Sequence, residues 1–128
     1  MINSYQKTVT NSAKEKYDNE SLLLLGLAEE TGEVIGIFKK AGRDRKEIDR
    51  THLVEELGDV LWYLVNIGVR HNINFKDIIN FNKAKSIARN ANIRSNVIGY
   101  RTDELTGEEV PIFEEDLDEN SEYKKSLH

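Results

Sequence analysis

The chain has no cysteine among its 128 residues. Disulfides, thiol nucleophiles, zinc–thiolate sites and iron–sulfur clusters are therefore excluded. The longest apolar stretch, around residues 22–28, is far too short to span a bilayer. The N-terminal residues also lack the apolar segment of a secretory signal. We therefore expect a soluble cytoplasmic protein with no membrane partner.

Proline is almost absent, because the single proline, Pro111, lies late in the chain. Long helices are therefore possible before it. Hydrophobic periodicity predicts four helices, at roughly residues 3–16, 19–41, 50–71 and 75–90. Asn19 or Ser21 can cap the second helix, and Gly42 is well placed to end it. Asp49 is a possible cap for the third helix.

The two middle helices are apolar around most of their circumference, whereas the outer two carry weaker stripes. A helix that is apolar nearly all round is buried on several sides. We therefore predict an all-α domain that resembles a four-helix bundle over residues 1–95, with the second and third helices at its centre. Two modest flanking helices cannot cover both, so we expect a homodimer or a homotetramer.

The residues after this domain, 96–128, are predicted to form an acidic extension. Residues 101–105 and 109–113 flank Thr106-Gly107, which favours a short β-hairpin with a glycine turn. The charged end of the chain, 116–128, is poor in apolar residues and is expected to be mobile.

Charge is distributed unevenly along the chain. The formal net charge is −5, but residues 1–102 carry 16 bases and 13 acids, and residues 103–128 carry ten acids and two bases. The overall acidity argues against nucleic acid as a partner. Six of the 13 acids in the first segment lie in two short motifs, and without them that segment would have a net charge of +9. A basic body of this kind suits a polyanionic small molecule.

The two motifs share the pattern Glu-Glu-x-Gly-(Glu/Asp)-Val. They occupy residues 29–34 and 55–60, one in each central helix and 26 residues apart. Each motif contains a glycine inside a predicted helix, Gly32 or Gly58, at a cost of about 1 kcal/mol relative to alanine. A glycine there would let two helices, or a helix and a ligand, approach closely. The repeat therefore predicts that the two motifs face each other.

Four carboxylates would then converge between the two helices. Glu30 and Glu33 lie three residues apart on one apolar helix face, and Glu56 and Asp59 repeat this spacing. Carboxylates on an apolar stripe are costly unless they are paired or bound to a metal. A single Glu-x-x-Glu is usually a solvated face, but its recurrence here favours a hard divalent cation, Mg²⁺ or Mn²⁺. Neither motif has the histidine that di-iron bundles use, which disfavours softer metals.

The two motifs and the residues around them resemble those of a known protein family. The segments Leu27–Val34 and Glu55–Leu64 resemble the MazG-type nucleoside triphosphate pyrophosphohydrolases, whose signature is Glu-x-x-Glu followed by Glu-x-x-Asp on the next helix. The resemblance covers roughly residues 20–90. It implies an all-α MazG fold, assembly as a dimer or a dimer of dimers, and Mg²⁺-dependent hydrolysis of a nucleoside triphosphate. On this resemblance the catalytic residues and metal ligands are Glu30, Glu33, Glu56 and Asp59.

Residues that could bind the substrate lie on three helices. Asn82, Lys85 and Arg89 resemble the Asn-x-x-Lys-x-x-x-Arg that follows in the family, although the residues after Arg89 depart from the aromatic and proline common there. Lys39 lies six residues after Glu33, near the predicted end of its helix. Trp62 could stack on a base, but an aromatic residue in an apolar helix is more often part of the core.

The sequence also leaves some groups without a predicted role. The three histidines, His52, His71 and His128, have no evident partner spacing, so a structural or surface role is expected for each. One of the four motif carboxylates could act as the general base if it is not fully used as a metal ligand, and the sequence does not indicate which one.

We therefore expect a nucleoside triphosphate pyrophosphohydrolase that converts a (deoxy)nucleoside triphosphate to the monophosphate and pyrophosphate, with a role in nucleotide-pool cleaning or housekeeping. Two alternatives stay open. The first is a nucleotide-binding or regulatory module of the same fold without turnover. The second is an oligomerisation scaffold that binds no ligand.

Overall fold

The computed structural model describes residues 1–13, 17–92 and 96–117. Its elements are α1 (Ile2–Ala13), α2 (Glu20–Asp44), α3 (Arg50–Arg70), α4 (Phe75–Asn90), β1 (Val97–Thr102), β2 (Glu109–Phe113) and a 3₁₀ turn (Glu114–Asp116). The predicted all-α fold with a short C-terminal hairpin is confirmed. None of the helices in these residues combines the length and apolar character needed to cross a membrane.

The chain divides into two compact units, Met1–Phe75 and Lys76–His128. The first unit holds α1, α2 and α3, and the second holds α4 and the hairpin. The boundary predicted from the sequence, between residues 95 and 96, stays a prediction.

The ends of α2 and α3 follow from local chemistry. The Asn19 Oδ1 atom accepts a hydrogen bond from the Ser21 amide at 2.9 Å. In the same way, Asp49 Oδ1 accepts one from the His52 amide at 3.1 Å. Both predicted caps are therefore confirmed. The predicted end of α2 at Gly42 is wrong, because the helix continues to Asp44 and Arg45 adopts the left-handed conformation with φ 52° and ψ 43°.

Helix α3 lies at the centre of the first unit and packs against both α1 and α2. Val65 on α3 is 1% exposed, and Leu23 on α2 is 2% exposed. The Asn66 side chain joins α3 to α1 by donating hydrogen bonds to the backbone oxygens of Trp62, at 2.9 Å, and Val9, at 3.4 Å. These bonds satisfy a polar group that would otherwise be costly to bury.

Many large apolar side chains on α2 and α3 remain exposed. They are Leu22, Leu24, Leu25, Ile35, Phe38, Val54, Leu57 and Leu64. The single chain therefore buries less of its two middle helices than their apolar composition predicts.

Helix α2 lies close to a side chain of α3 at Gly26, which is outside both acidic motifs. A Cβ atom at Gly26 would meet the ring of Tyr63, whereas Cβ atoms at Gly32 and Gly58 would have no described heavy atom within 4 Å outside their own helix backbone and chain neighbours. The predicted helix–helix packing role of Gly32 and Gly58 within the chain is therefore wrong. Both glycines are exposed.

The second unit contains an antiparallel hairpin in which Tyr100 lies opposite Pro111. The predicted first strand, 101–105, is wrong because the chain turns at Asp103. There the Oδ1 atom accepts hydrogen bonds from the amides of Leu105 and Thr106, both at 2.9 Å. Such side-chain bonds compete with strand pairing, and β1 therefore ends at Thr102.

Side chains connect the hairpin to α4 within this unit. The Tyr100 hydroxyl donates to Asp77 Oδ1 at 2.6 Å, and Asn80 Nδ2 donates to Glu109 Oε1 at 3.2 Å. Of the end predicted to be mobile, Asp116 belongs to the 3₁₀ turn. Residues 118–128 lie outside the described residues.

Candidate metal centre and the adjoining cavity

Three carboxylates meet between α2 and α3. One oxygen each from Glu30, Glu56 and Asp59 lies within 4.8 Å of the others. Glu56 is only 9% exposed, Glu30 is half-buried and Asp59 is exposed. The structure thus brings together three of the four residues predicted from the repeated motif.

The fourth predicted residue, Glu33, is exposed on α2 and does not belong to this group. A separation of three residues rotates a side chain by about 60° around the helix axis relative to Glu30. The neighbours that precede the paired glutamates in sequence, Glu29 and Glu55, are also exposed.

The carboxylates perturb one another electrostatically. Burial raises the pKa of Glu30, and so do a hydrogen bond with Glu56 and the negative charges of Asp59, Glu56 and Glu29. Like charges at short distance disfavour simultaneous ionisation, so this cluster favours either a shared proton or a cation. Its donors are all carboxylate oxygens, which are the ligands that Mg²⁺ and Ca²⁺ prefer.

A histidine that the sequence analysis left without a role contacts the cluster. The Nε2 atom of His52 lies 2.8 Å from Oε1 of Glu56, one helical turn later on α3. The expectation of no partner spacing is wrong for His52, because Glu56 follows it by four residues. The surface role expected for His71 agrees with its exposed side chain. His71 Nε2 pairs with Glu20 Oε1 at the opposite end of α3. The four-residue spacing of His52 and Glu56 was the available signal.

A cavity of about 320 Å³ adjoins the acidic group. Its lining residues are Ser12, Tyr17, Glu30, Asp59, Trp62 and Tyr63. The predicted substrate-binding residue Trp62 therefore shares a cavity with two of the predicted metal ligands. The ring of Tyr17 meets that of Trp62 edge to face, with the centroids 5.2 Å apart.

Hydrogen bonds fix the aromatic side of the cavity. Trp62 Nε1 donates to Ser12 Oγ at 2.9 Å. The hydroxyls of Tyr17 and Tyr63 lie 3.3 Å apart. This hydrogen bond, followed by burial and the nearby charges of Tyr17 and Glu30, raises the pKa of Tyr63 to about 12. Both Tyr17 and Ser12 were missed by sequence reasoning, because residues far apart in the chain meet here.

A comparison with family models places most of the chain in a known domain. The model of the MazG nucleotide pyrophosphohydrolase domain matches residues 18–93, which is more than half of the chain. The chain belongs to the MazG nucleotide pyrophosphohydrolase family. No curated protein and no solved structure matches it. The matched range includes all three clustered carboxylates of this MazG domain, together with Trp62.

The predicted polyphosphate-binding residues of the MazG domain lie on two helices. Lys39 is exposed on α2. Its neighbour Lys40 lines a second cavity, of about 200 Å³, together with His52. Asn82, Lys85 and Arg89 are exposed on α4, within the second unit.

Proposed function

We propose that this protein hydrolyses a (deoxy)nucleoside triphosphate to the monophosphate and pyrophosphate, with Mg²⁺ as the cation and Mn²⁺ as a possible substitute. Its role would be nucleotide-pool cleaning or housekeeping in the cytoplasm. The single observation that carries the proposal is the carboxylate cluster of Glu30, Glu56 and Asp59, whose members Glu30 and Asp59 line an aromatic cavity inside the family's domain.

The donor chemistry of the cluster fits a hard divalent cation. Glu30, Glu56 and Asp59 would hold the ion, and Glu33 would be a further ligand at the exposed edge of α2. When bound, Mg²⁺ would neutralise negative charge on the phosphates and lower the pKa of a bound water. The low exposure of Glu56 and the half-buried position of Glu30 strengthen this attraction, because charges interact more strongly away from bulk water.

Hydrolysis at the α-phosphorus needs an oriented water and a proton acceptor. A carboxylate of the cluster would accept the proton of the attacking water, and the bond from the α-phosphorus to the bridging oxygen would break to release pyrophosphate. Holding the two reacting groups in line supplies much of the rate enhancement.

The aromatic cavity offers a place for the base and sugar of the nucleotide. Trp62 and Tyr17 present ring faces and edges beside the carboxylates, and base–aromatic stacking contributes about 1–3 kcal/mol per base. The hydroxyl of Tyr63 can donate or accept a hydrogen bond there, as a neutral phenol does.

Basic side chains would bind the remaining phosphates. Lys39 lies on α2, nine residues after Glu30, and Asn82, Lys85 and Arg89 share one side of α4, at spacings of three and four residues. The family resemblance of the α4 residues supports their role. Their exposure leaves them available to an anionic ligand.

Assembly as a homodimer or homotetramer is the second part of the proposal. Ile35 and Val54 are each 62% exposed on α2 and α3. The open space beside Gly32 and Gly58 would allow close approach of another helix. A second copy of the chain would bury apolar area that the single chain leaves in water.

Pyrophosphate release tests the proposed activity. Purified protein is assayed with Mg²⁺ on a panel of canonical and modified nucleoside triphosphates. Glu56→Gln is expected to lower the rate at least about 100-fold, because loss of one group that stabilises charge in the transition state typically has an effect of that size. Glu55→Gln is the matched control, because Glu55 is the adjacent, exposed glutamate on the same helix, and it should keep the wild-type rate.

Two results would contradict the proposal. A Glu56→Gln variant with the wild-type rate would remove the cluster from the reaction. Tight binding of a non-hydrolysable nucleotide by a wild-type protein that forms no product on any substrate would favour a nucleotide-binding module without turnover.

A further inference from the structure

The His52 ring lies within hydrogen-bond distance of Glu56, the most buried member of the acidic cluster. His52 Nε2 lies 2.8 Å from Glu56 Oε1, and the two side chains are 39% and 12% exposed. This is a normal hydrogen-bond distance with favourable spacing on one helix face. A nearly buried carboxylate is therefore anchored by a ring that is still partly open to solvent.

The backbone of His52 is held by the start of α3. Asp49 caps the helix, and its Oδ1 accepts from the backbone amide of His52 at 3.1 Å. The Asp49 carbonyl oxygen also accepts from the amide of Leu53 at 2.9 Å. His52 thus belongs to a capped first helical turn, and a side chain on such a turn can hold a partner on the next one.

A carboxylate has two oxygens, and a hydrogen bond to one of them restricts the rotation of the whole group. A bond from His52 Nε2–H to Oε1 leaves Oε2 of Glu56 available as a ligand. Carboxylates that bind metals are commonly held by such bonds, and loss of the supporting partner typically weakens metal binding about 10- to 100-fold.

We propose that His52 is a positioning residue, which holds the Glu56 carboxylate in the orientation that lets it join Glu30 and Asp59 around a divalent cation. The inference rests on the proposed function for the identity of the cation. The neutral ring with its proton on Nε2 is sufficient for this role, so no change of protonation is involved.

The cation affinity of variants tests this proposal without any need for turnover. Isothermal titration calorimetry with Mg²⁺ alone, and with Mn²⁺ alone, is performed on the full chain. His52→Leu fills the space of the ring without donating a hydrogen bond, and is expected to weaken cation binding about 10- to 100-fold. His52→Ala is the second variant, because alanine has the highest helix propensity and should preserve α3.

Rescue separates positioning from simple packing. His52→Gln keeps an N–H donor that can reach the next turn, and should bind the cation within about threefold of the wild-type affinity, well inside the loss expected without the bond. His71→Leu is the matched control, because it removes another His–Glu pair, between the residue after α3 and the first residue of α2. It should leave the cation affinity unchanged.

Activity assays add a second readout. The His52→Leu and His52→Ala variants should need more Mg²⁺ for half-maximal rate and should recover much of the wild-type kcat when Mg²⁺ is saturating. A purely structural role would lower Tm without moving the Mg²⁺ requirement.

The failures of the two proposals are distinguishable. If His52→Leu and His52→Ala bind the cation as tightly as the wild type while the wild type hydrolyses nucleotides, the positioning role is overturned and the function stands. If binding weakens and Gln restores it, but no triphosphate is hydrolysed, the positioning role stands and the proposed function is overturned. A His52→Gln variant as weak as His52→Leu would also overturn the positioning role.

Discussion

A Cβ atom on Gly26 would lie 2.2 Å from the Cε1 atom of Tyr63, so α2 and α3 meet at a point where only glycine fits. The Tyr63 ring has little room to retreat, since it is packed edge to face against both Tyr17 and Trp62. The same ring borders the cavity beside the carboxylates. Helix packing and the shape of the site are therefore coupled at this contact.

Gly26→Ala is predicted to lower the free energy of unfolding by about 1–3 kcal/mol, the usual cost of overpacking. Gly36→Ala on the same helix is the matched control, because no described heavy atom outside its own helix backbone and chain neighbours lies within 4 Å of its Cβ position. That change should stabilise the protein by about 0.5–1 kcal/mol, through the higher helix propensity of alanine. Urea unfolding measures both, and equal stability of the two variants would contradict the packing described at Gly26.

Self-association is predicted to depend on the exposed apolar faces of α2 and α3. Ile35→Asp or Val54→Asp should reduce the mass measured by light scattering to that of the monomer, because a charge would be buried against the second copy. Leu105→Asp is the control, since Leu105 is 97% exposed in the hairpin turn. An unchanged mass for both helix variants would show that these faces do not form the interface.

Repulsion within the carboxylate cluster should make the stability of the cation-free protein depend on pH. Because the pKa of Glu30 is raised above its ordinary value of 4.5, the folded protein binds more protons than the unfolded chain between the two pKa values. Stability should therefore fall as pH rises from about 4.5 through the raised pKa, and at neutral pH Glu30 destabilises the cation-free fold.

Glu30→Gln should accordingly raise Tm of the cation-free protein by a few degrees at neutral pH. It should also abolish most of the rise in Tm that Mg²⁺ causes in the wild type. Glu55→Gln, a change at an exposed glutamate of α3 that does not perturb Glu30, should do neither. A Glu30→Gln variant that is less stable without cation, or that keeps the full response to Mg²⁺, would argue against repulsion within the cluster.

Trp62 provides a direct optical probe, because it is the only tryptophan in the chain. If a base stacks in the cavity, nucleotide should quench the intrinsic fluorescence. Trp62→Leu should raise KM about 10-fold, the effect of losing roughly 1–3 kcal/mol of stacking, while cation affinity is unchanged. Trp62→Phe, which keeps an aromatic ring, should retain most of the affinity. If saturating substrate does not quench the fluorescence of Trp62, the base does not stack in this cavity.

Much of the fold follows from local signals that a single sequence carries. Asn19 and Asp49 act as caps because their short side chains reach the free amides of the next turn. The end of α2 was misplaced because a glycine can also continue a helix, and Arg45 takes the left-handed position instead. The first hairpin strand was misplaced because the Asp103 side chain binds backbone amides and forms the turn.

The candidate site was partly predictable for a similar reason. The repeated motif identified Glu30, Glu56 and Asp59, since helical periodicity fixes which residues share a face. It did not separate Glu33 from them, because burial depends on the packing of the neighbouring helix. Tyr17 was not predictable, since it reaches Tyr63 across 46 residues of sequence.

The central claim is attack of water on the α-phosphorus of a nucleoside triphosphate. Its most direct test is hydrolysis of the preferred substrate in water enriched in heavy oxygen, with Mg²⁺ present and the products analysed by mass spectrometry. We expect equal amounts of monophosphate and pyrophosphate, with the heavy oxygen in the monophosphate. Release of orthophosphate and a nucleoside diphosphate, or heavy oxygen found in pyrophosphate, would contradict it.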